Sequence, residues 1–251
     1  MTARGTGFRR PPVDATLSGM NACITRCSSL LVLALLTACT LPDRGAPRDA
    51  PAASSTRRSF DDLAVGSLPA GWRSEGTNRN GTAPADWAVV QDSTAPSGDR
   101  VLALRDARGA EGDVFNMLWT DAVRLRDGFV EAHVKAVDGV EDQGGGVVWR
   151  VQDANNYYVA RWNPLEDNFR VYYVEDGERH QLDSFRTRGN PESWHVVRAE
   201  MVGDKITCYL DGEALLEVRD GRFPEAGGVG VWAKADALTW FDDFVAGPLN
   251  P

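Results

Sequence analysis

The sequence predicts an all-β domain built as two stacked antiparallel sheets, and three observations carry that expectation. From Phe60 onward, short segments alternate apolar and polar residues at period two. Gly, Asn and Asp punctuate these segments at close intervals, and no stretch sustains the 3.6-residue period of a long helix. The predicted strands are 101–104, 115–119, 129–137, 147–152, 157–162, 169–174, 194–201, 205–210, 214–218, 229–233 and 238–245. That many short strands need two packed sheets or a barrel to bury their inner faces.

Asp176-Gly177, Gly203-Asp204 and Asp211-Gly212 lie between consecutive strands, where two-residue turns require backbone angles that Gly and Asp tolerate. Those strands are therefore expected to pair as hairpins. Phe60-Asp61-Asp62 opens the domain and Phe241-Asp242-Asp243 closes it, which places the terminal strands side by side.

With 251 residues, 43% hydrophobic and 25% charged, the chain has room for one sizeable domain plus appendages. Arg26 precedes the apolar run Leu30 to Leu36, which is too short to span a bilayer and reads as a secretory leader. Its end, Leu36-Thr37-Ala38-Cys39, resembles a bacterial lipobox, which implies lipidation at Cys39 after cleavage. The expected organisation is an upstream extension over 1–19 with Met20 as the true start, a lipoprotein signal over 20–38, the lipidated Cys39 and a Pro/Ala/Ser/Arg-rich tether over 39–59, and the sandwich over 60–248. Thr40 after Cys39 fits outer-membrane sorting in a Gram-negative host, with the domain facing the periplasm or the cell surface and the membrane met only through the lipid.

Cys23 and Cys27 fall in the leader and Cys39 carries lipid, so Cys208 is the one cysteine left to the domain and no intramolecular disulfide can form. Cys208 shares a strand face with Ile206 and Leu210 and is assigned to the core. The formal charge is −9 over the whole chain and −12 after residue 38, which excludes nucleic acid as a partner class.

Parity along the strands sorts candidate functional residues. Val130, Ala132, Val134 and Ala136 point inward, leaving Glu131 and His133 outward. If that strand turns back through 138–144, Glu131 meets Arg150 and His133 meets Val148. The next turn pairs Gln152 with Tyr157, which buries Tyr158, Ala160 and Trp162 and turns Arg161 outward. Trp162 then meets Phe169 and Arg161 meets Arg170, with Tyr172 beside it. The expected open layer is Glu131, His133, Arg150, Gln152, Tyr157, Arg161, Arg170 and Tyr172, extended by Trp232 and Lys234.

Such a layer suits a sugar, whose C–H faces stack on aromatic rings while its hydroxyls seek planar donors and acceptors. The competing reading is a solvated face of cross-strand ion pairs, Glu131 with Arg150 and Arg170 with Asp183. Arg161 opposite Arg170 requires a carboxylate such as Glu166 or Asp167, or a ligand, between the two cations. His133 is the leading catalytic base, with Glu131 and loop Asp142 as the other acid/base candidates. No cofactor is required. Asp61, Asp62, Asp242 and Asp243 are candidate ligands for a structural Ca2+, the alternative being solvated aspartates at turn edges.

The segments DQGGGVVWR, NNYYVARW and GGVGVWAKADALTWFDDF resemble the concanavalin A-like jelly roll of lectins and glucanases, and more narrowly the secreted domains named for 3-keto-disaccharide hydrolase, over about 60–245. That resemblance implies binding of a glycan or sugar derivative and cleavage of 3-keto-glycosides. Gln143 and Gly144 stand where the family pattern has Asn-Ser. The Glu-x-Asp-x-x-Glu motif of laminarinase-type hydrolases is missing: its nearest match, Glu111-Gly112-Asp113-Val114-Phe115-Asn116, ends in Asn. The alternatives are a noncatalytic lectin-like module and a structural envelope protein without a ligand.

Overall fold

The structure, a computed structural model, describes residues 55–249. The expectations for the upstream extension, the leader and Cys39 lie outside the described residues. With the strands numbered along the chain, one sheet, sheet A, runs in the order β13 (Glu213–Arg219), β12 (Lys205–Leu210), β11 (His195–Val202), β6 (Gly128–Asp138), β15 (Leu238–Gly247), β4 (Arg100–Asp106), β3 (Asp86–Gln91), and β1 (Thr56–Arg58) also pairs with β15. Sheet B runs β10 (Glu178–Arg186), β9 (Asn168–Glu175), β8 (Asn156–Asn163), β7 (Gly145–Asp153), β14 (Gly227–Lys234), β5 (Phe115–Leu125), β2 (Arg73–Thr77). All pairings are antiparallel, and no helix occurs among the described residues.

The core lies between the sheets. Val130, Ala132 and Val134 of β6 face Trp149, Tyr158, Ala160 and Trp162 of β7 and β8, and Cys208 is buried among them as expected. The three Gly/Asp turns close hairpins β9–β10, β11–β12 and β12–β13, and the terminal strands pair through Thr56 and Ala246. β1 falls within the stretch expected to be tether, because its backbone completes an otherwise open flank of β15.

One expected hairpin does not form. β6 is hydrogen-bonded on both edges, to β11 and β15, so it has no free edge for β7, and 139–144 is a crossover from sheet A to sheet B. Glu131 and Arg150 therefore sit on different sheets. The β7–β8 register also shifts at a bulge between Trp149 and Asp153, where Arg150 adopts φ 48. The bulge turns Arg150 out of the sheet face, and its guanidinium donates to the carbonyls of Arg126 (2.8 Å), Phe223 (2.7 Å) and Gly203 (2.8 Å). With 1% of its surface exposed, Arg150 is a clasp joining three loops.

The outer face of sheet B is not open. Its residues Phe115, Met117, Trp119, Val148, Val159, Tyr157, Tyr172 and Trp232 form a second buried apolar cluster. Phe115 and Thr77 pair at one corner of the sheet, Ala154 lies in the β7–β8 turn at the far end of two central strands, and Gly177 lies in the β9–β10 turn at the diagonally opposite corner. The sheet twists and curls until those corners meet. Trp232 Nε1 donates to the Tyr157 hydroxyl (3.0 Å), Tyr157 donates to Thr77 Oγ1 (2.8 Å), and Thr77 donates to the carbonyl of Ala154 (2.5 Å). Asn78 Nδ2 adds a bond to the carbonyl of Gly177 (2.9 Å). Full burial pushes the Tyr157 phenol well above its ordinary pKa, so it remains a donor.

Tyr157→Phe keeps the ring but leaves Trp232 Nε1 buried without an acceptor, and is expected to cost about 1–3 kcal/mol in urea unfolding. Arg150→Ala removes a buried side chain and leaves the carbonyls of Arg126, Phe223 and Gly203 without their donor, with an expected loss of about 2–4 kcal/mol by the same measurement. Loss of less than 1 kcal/mol for either variant would mean that the corresponding closure is not structural.

Candidate functional site

At one end of the curled sheet the apolar lining gives way to charge. β8 alternates so that Arg161 shares the face of Tyr157 and Val159, β9 presents Arg170 directly opposite Arg161 with Tyr172 next, and β14 presents Trp232 and Lys234. The crossover delivers Asp142 to the same place. Its conformation is held by Asp236, whose carboxylate accepts the backbone N–H groups of Val140 (2.7 Å), Glu141 (3.0 Å) and Asp142 (3.0 Å). Gly144, at φ 74, packs so tightly against the Trp162 carbonyl that a Cβ would collide with it.

Asp142 Oδ1 accepts from Arg161 Nη1 (2.7 Å) and Asn163 Nδ2 (2.8 Å). Its Oδ2 lies 3.5 Å from Lys234 Nζ, is buried, and has no hydrogen-bond partner. The side chains of Asp142 and Arg161 are 2% and 1% exposed. Burial pushes the Asp142 carboxyl above the usual carboxylate range, outweighing the opposite pull of Arg161 and Lys234. Glu166 Oε2 bridges Arg161 Nη2 (2.6 Å) and Arg170 Nη1 (3.1 Å) and accepts from Asn168 (3.0 Å). Partial burial opposes its ionisation, but the Asn168 bond and the two arginines hold Glu166 below the ordinary value. One guanidinium thus joins two carboxyls whose surroundings shift their acidity in opposite directions, Asp142 upward and Glu166 downward.

Of the residues expected in the open layer, the structure brings together Tyr157, Arg161, Arg170, Tyr172, Trp232 and Lys234, and it adds the loop acid/base candidate Asp142. Tyr157, Tyr172 and Trp232 are buried because the sheet closes over them. Glu131 and His133 lie on the outer face of sheet A, with the main core between them and Asp142. Glu131 pairs with Arg198 (3.1 Å), not Arg150, and His133 Nδ1 is 3.6 Å from Asp243. They therefore cannot act with Asp142 on one substrate. Arg150 is consumed by its three carbonyls, and Gln152 sits exposed beside the β7–β8 turn, bonded to the Arg150 carbonyl.

Sequence reasoning missed one site residue, Arg179, and part of the role of another. Glu166 was identified only as a counter-ion for the arginine pair. Arg179 stands on β10, whose polar sequence ERHQLDSFR carries no alternation of core residues. Its guanidinium lies 4.6 Å from the Tyr172 ring and 5.0 Å from the Phe115 ring. The signal that could have found it is the Asp176-Gly177 turn, which requires a partner strand for β9.

Three of the four aspartates expected to bind Ca2+, Asp61, Asp242 and Asp243, have other partners. Asp61 accepts the N–H groups of Asp99 (3.0 Å) and Arg100 (3.1 Å), and Asp242 accepts that of Ser97 (3.2 Å). Among the described residues, no three His, Cys, Asp or Glu side chains are placed to hold a metal ion, and Asp62 takes part in no such group. Burial, reinforced by Asp243 and Asp61, pushes Asp242 up to about 7. The folded state therefore retains a proton that the unfolded chain releases near the ordinary carboxylate value. Stability should fall as pH rises from about 4 to about 7, by up to about 4 kcal/mol, and Asp242→Asn should flatten that slope in unfolding measured across the range.

Among solved structures, the chain is similar to a CBM66 carbohydrate-binding module from Bacillus subtilis, with a TM-score of 0.54 and 18% identity over 69% of this chain and 93% of that one. It is similar to a Bacteroides ovatus GH16 protein of a mixed-linkage glucan locus, in complex with a G4G4G3G product, with a TM-score of 0.52 and 10% identity over 76% and 98% of the two chains. A Bacillus licheniformis β-glucanase matches with a TM-score of 0.50 and 12% identity over 78% and 98%. The fold is a concanavalin A-like jelly roll. No protein-family model matches the chain, and no curated protein matches it. At these identities the likeness concerns architecture.

Proposed function

We propose that this jelly roll binds a glycan or sugar derivative at the charged end of sheet B, around Asp142, Arg161, Glu166 and Lys234. The observation that carries the reading is Asp142 Oδ2, a buried carboxyl oxygen without a hydrogen-bond partner, set 3.5 Å from Lys234 in a site that also presents Arg170, Arg179 and Tyr172. A sugar hydroxyl is a donor that such an acceptor lacks, and planar guanidinium groups suit the neighbouring hydroxyl oxygens. The folds named above, a carbohydrate-binding module and glucanases, support the same class of ligand. The sequence further supports anchoring of the domain to the envelope through lipid on Cys39.

A second reading, cleavage of a 3-keto-glycoside, is favoured by the opposed carboxyls. A ketone at C3 acidifies the C2 proton. A carboxylate that removes it allows the C1 oxygen bond to break by elimination, with a protonated carboxyl donating to the departing oxygen. Glu166, held ionised, fits the first role and Asp142, driven toward its neutral form, fits the second.

The test is a glycan array with a 3-keto-glycoside turnover assay on the purified full-length protein and on Asp142→Asn. The binding reading expects a sugar ligand for the wild type and affinity reduced about tenfold or more in Asp142→Asn, the loss of one charge-assisted hydrogen bond. Cleavage expects turnover that falls at least about a hundredfold in the variant. Binding without turnover sinks the second reading, and silence of the wild type in both assays sinks the first.

A further inference from the structure

The four cations at this end of sheet B are unevenly compensated. Arg161 is held by Asp142 and Glu166, Arg170 by Glu166 and Lys234 by Asp142. Arg179 has no such partner: among the described residues its guanidinium makes no hydrogen bond and lies within 4.0 Å of no carboxylate, and its Nη1 is buried and unpaired. Asp113, Asp176 and Glu178 line the adjoining cavity, but none of them reaches ion-pair distance.

A guanidinium clamped against two aromatic rings cannot swing out to water without losing both contacts. Burial is the largest influence on Arg179 and, with the nearby Arg161, disfavours its charge more than Tyr172, Asp142 and Asp113 favour it, so the free site holds a cation without a direct partner in a partly dry setting. What sets Arg179 apart is the lack of a directly bonded partner, since the nearby Asp142 and Asp113 favour its charge only from a distance. A neutral sugar would leave the guanidinium without an ion partner. A ligand carboxylate could meet its planar fork in a paired hydrogen bond.

We infer that the sugar taken by this site carries a carboxylate, as a uronic acid does, and that Arg179 is the residue that reads it. This inference rests on the glycan reading of the same site and narrows its ligand class.

Binding of trigalacturonate and triglucuronate is compared with that of their methyl esters, which keep the rings and remove the charge, by calorimetry on the full-length protein. The expected result is that an acid binds about tenfold or more tightly than its ester and that Arg179→Gln brings the acid-to-ester affinity ratio to about one. Arg179→Lys, which retains charge without the fork, should keep only part of the preference. Thermal melting confirms that the variants fold, and the acid-to-ester comparison in the wild type stands without them. Equal affinity for acid and ester, or a preference for the ester, overturns the carboxylate inference and leaves glycan binding intact, as does a preference that survives in Arg179→Gln. Failure of the acids and esters alike, together with a silent glycan array, removes both.

Discussion

Much of this molecule follows from one constraint: sheet B is apolar on both faces. The inner face packs on sheet A, as in any sandwich, but Phe115, Met117, Val148, Val159 and Trp232 on the other side also have to leave water. The sheet satisfies them by curling until opposite corners touch, and the donor chain from Trp232 through Tyr157 and Thr77 to Ala154 fixes the closed form. A polar relay is tolerable in that setting because each member has its partner.

Closure also makes the site. With the apolar part of the face sealed, what remains open is its charged end, where the strand positions following Val159 and Trp232 on the same face are Arg161 and Lys234. Low solvent access there shifts the Asp142 carboxyl upward, because desolvation acts on it more strongly than its two cationic neighbours do. The same enclosure separates Asp142 from Glu166 chemically while Arg161 holds them together in space. Asp236 connects this chemistry to the fold by gathering three backbone N–H groups of the crossover that carries Asp142.

Several features of the site were legible in the residue pattern. The face shared by Tyr157, Arg161, Arg170 and Tyr172 was readable from alternation, since side chains on a strand have no choice but period two. The opposition of Arg161 and Arg170, and the need for Glu166, Asp167 or a ligand between them, followed from a hairpin register, and the structure places Glu166 there. Arg150 misled because parity presumes an unbroken ladder: the bulge at φ 48 takes that residue off the face, and no side-chain pattern announces it. Arg179 was invisible because its strand is polar on both sides.

The sequence by itself determined the all-β class, most strand positions, the hairpins at the Asp/Gly turns, the burial of Cys208 and the inward or outward parity of each strand. These are local properties, set by backbone stereochemistry and by which side chains avoid water over a few residues. Only the tertiary structure decided that β6 and β7 belong to different sheets, that Glu131 and His133 lie away from Asp142, and that the outer face of sheet B is closed. Strand pairing across long stretches of chain depends on which edges are already occupied, and closure depends on twist accumulated over seven strands. Neither quantity is carried by any single segment.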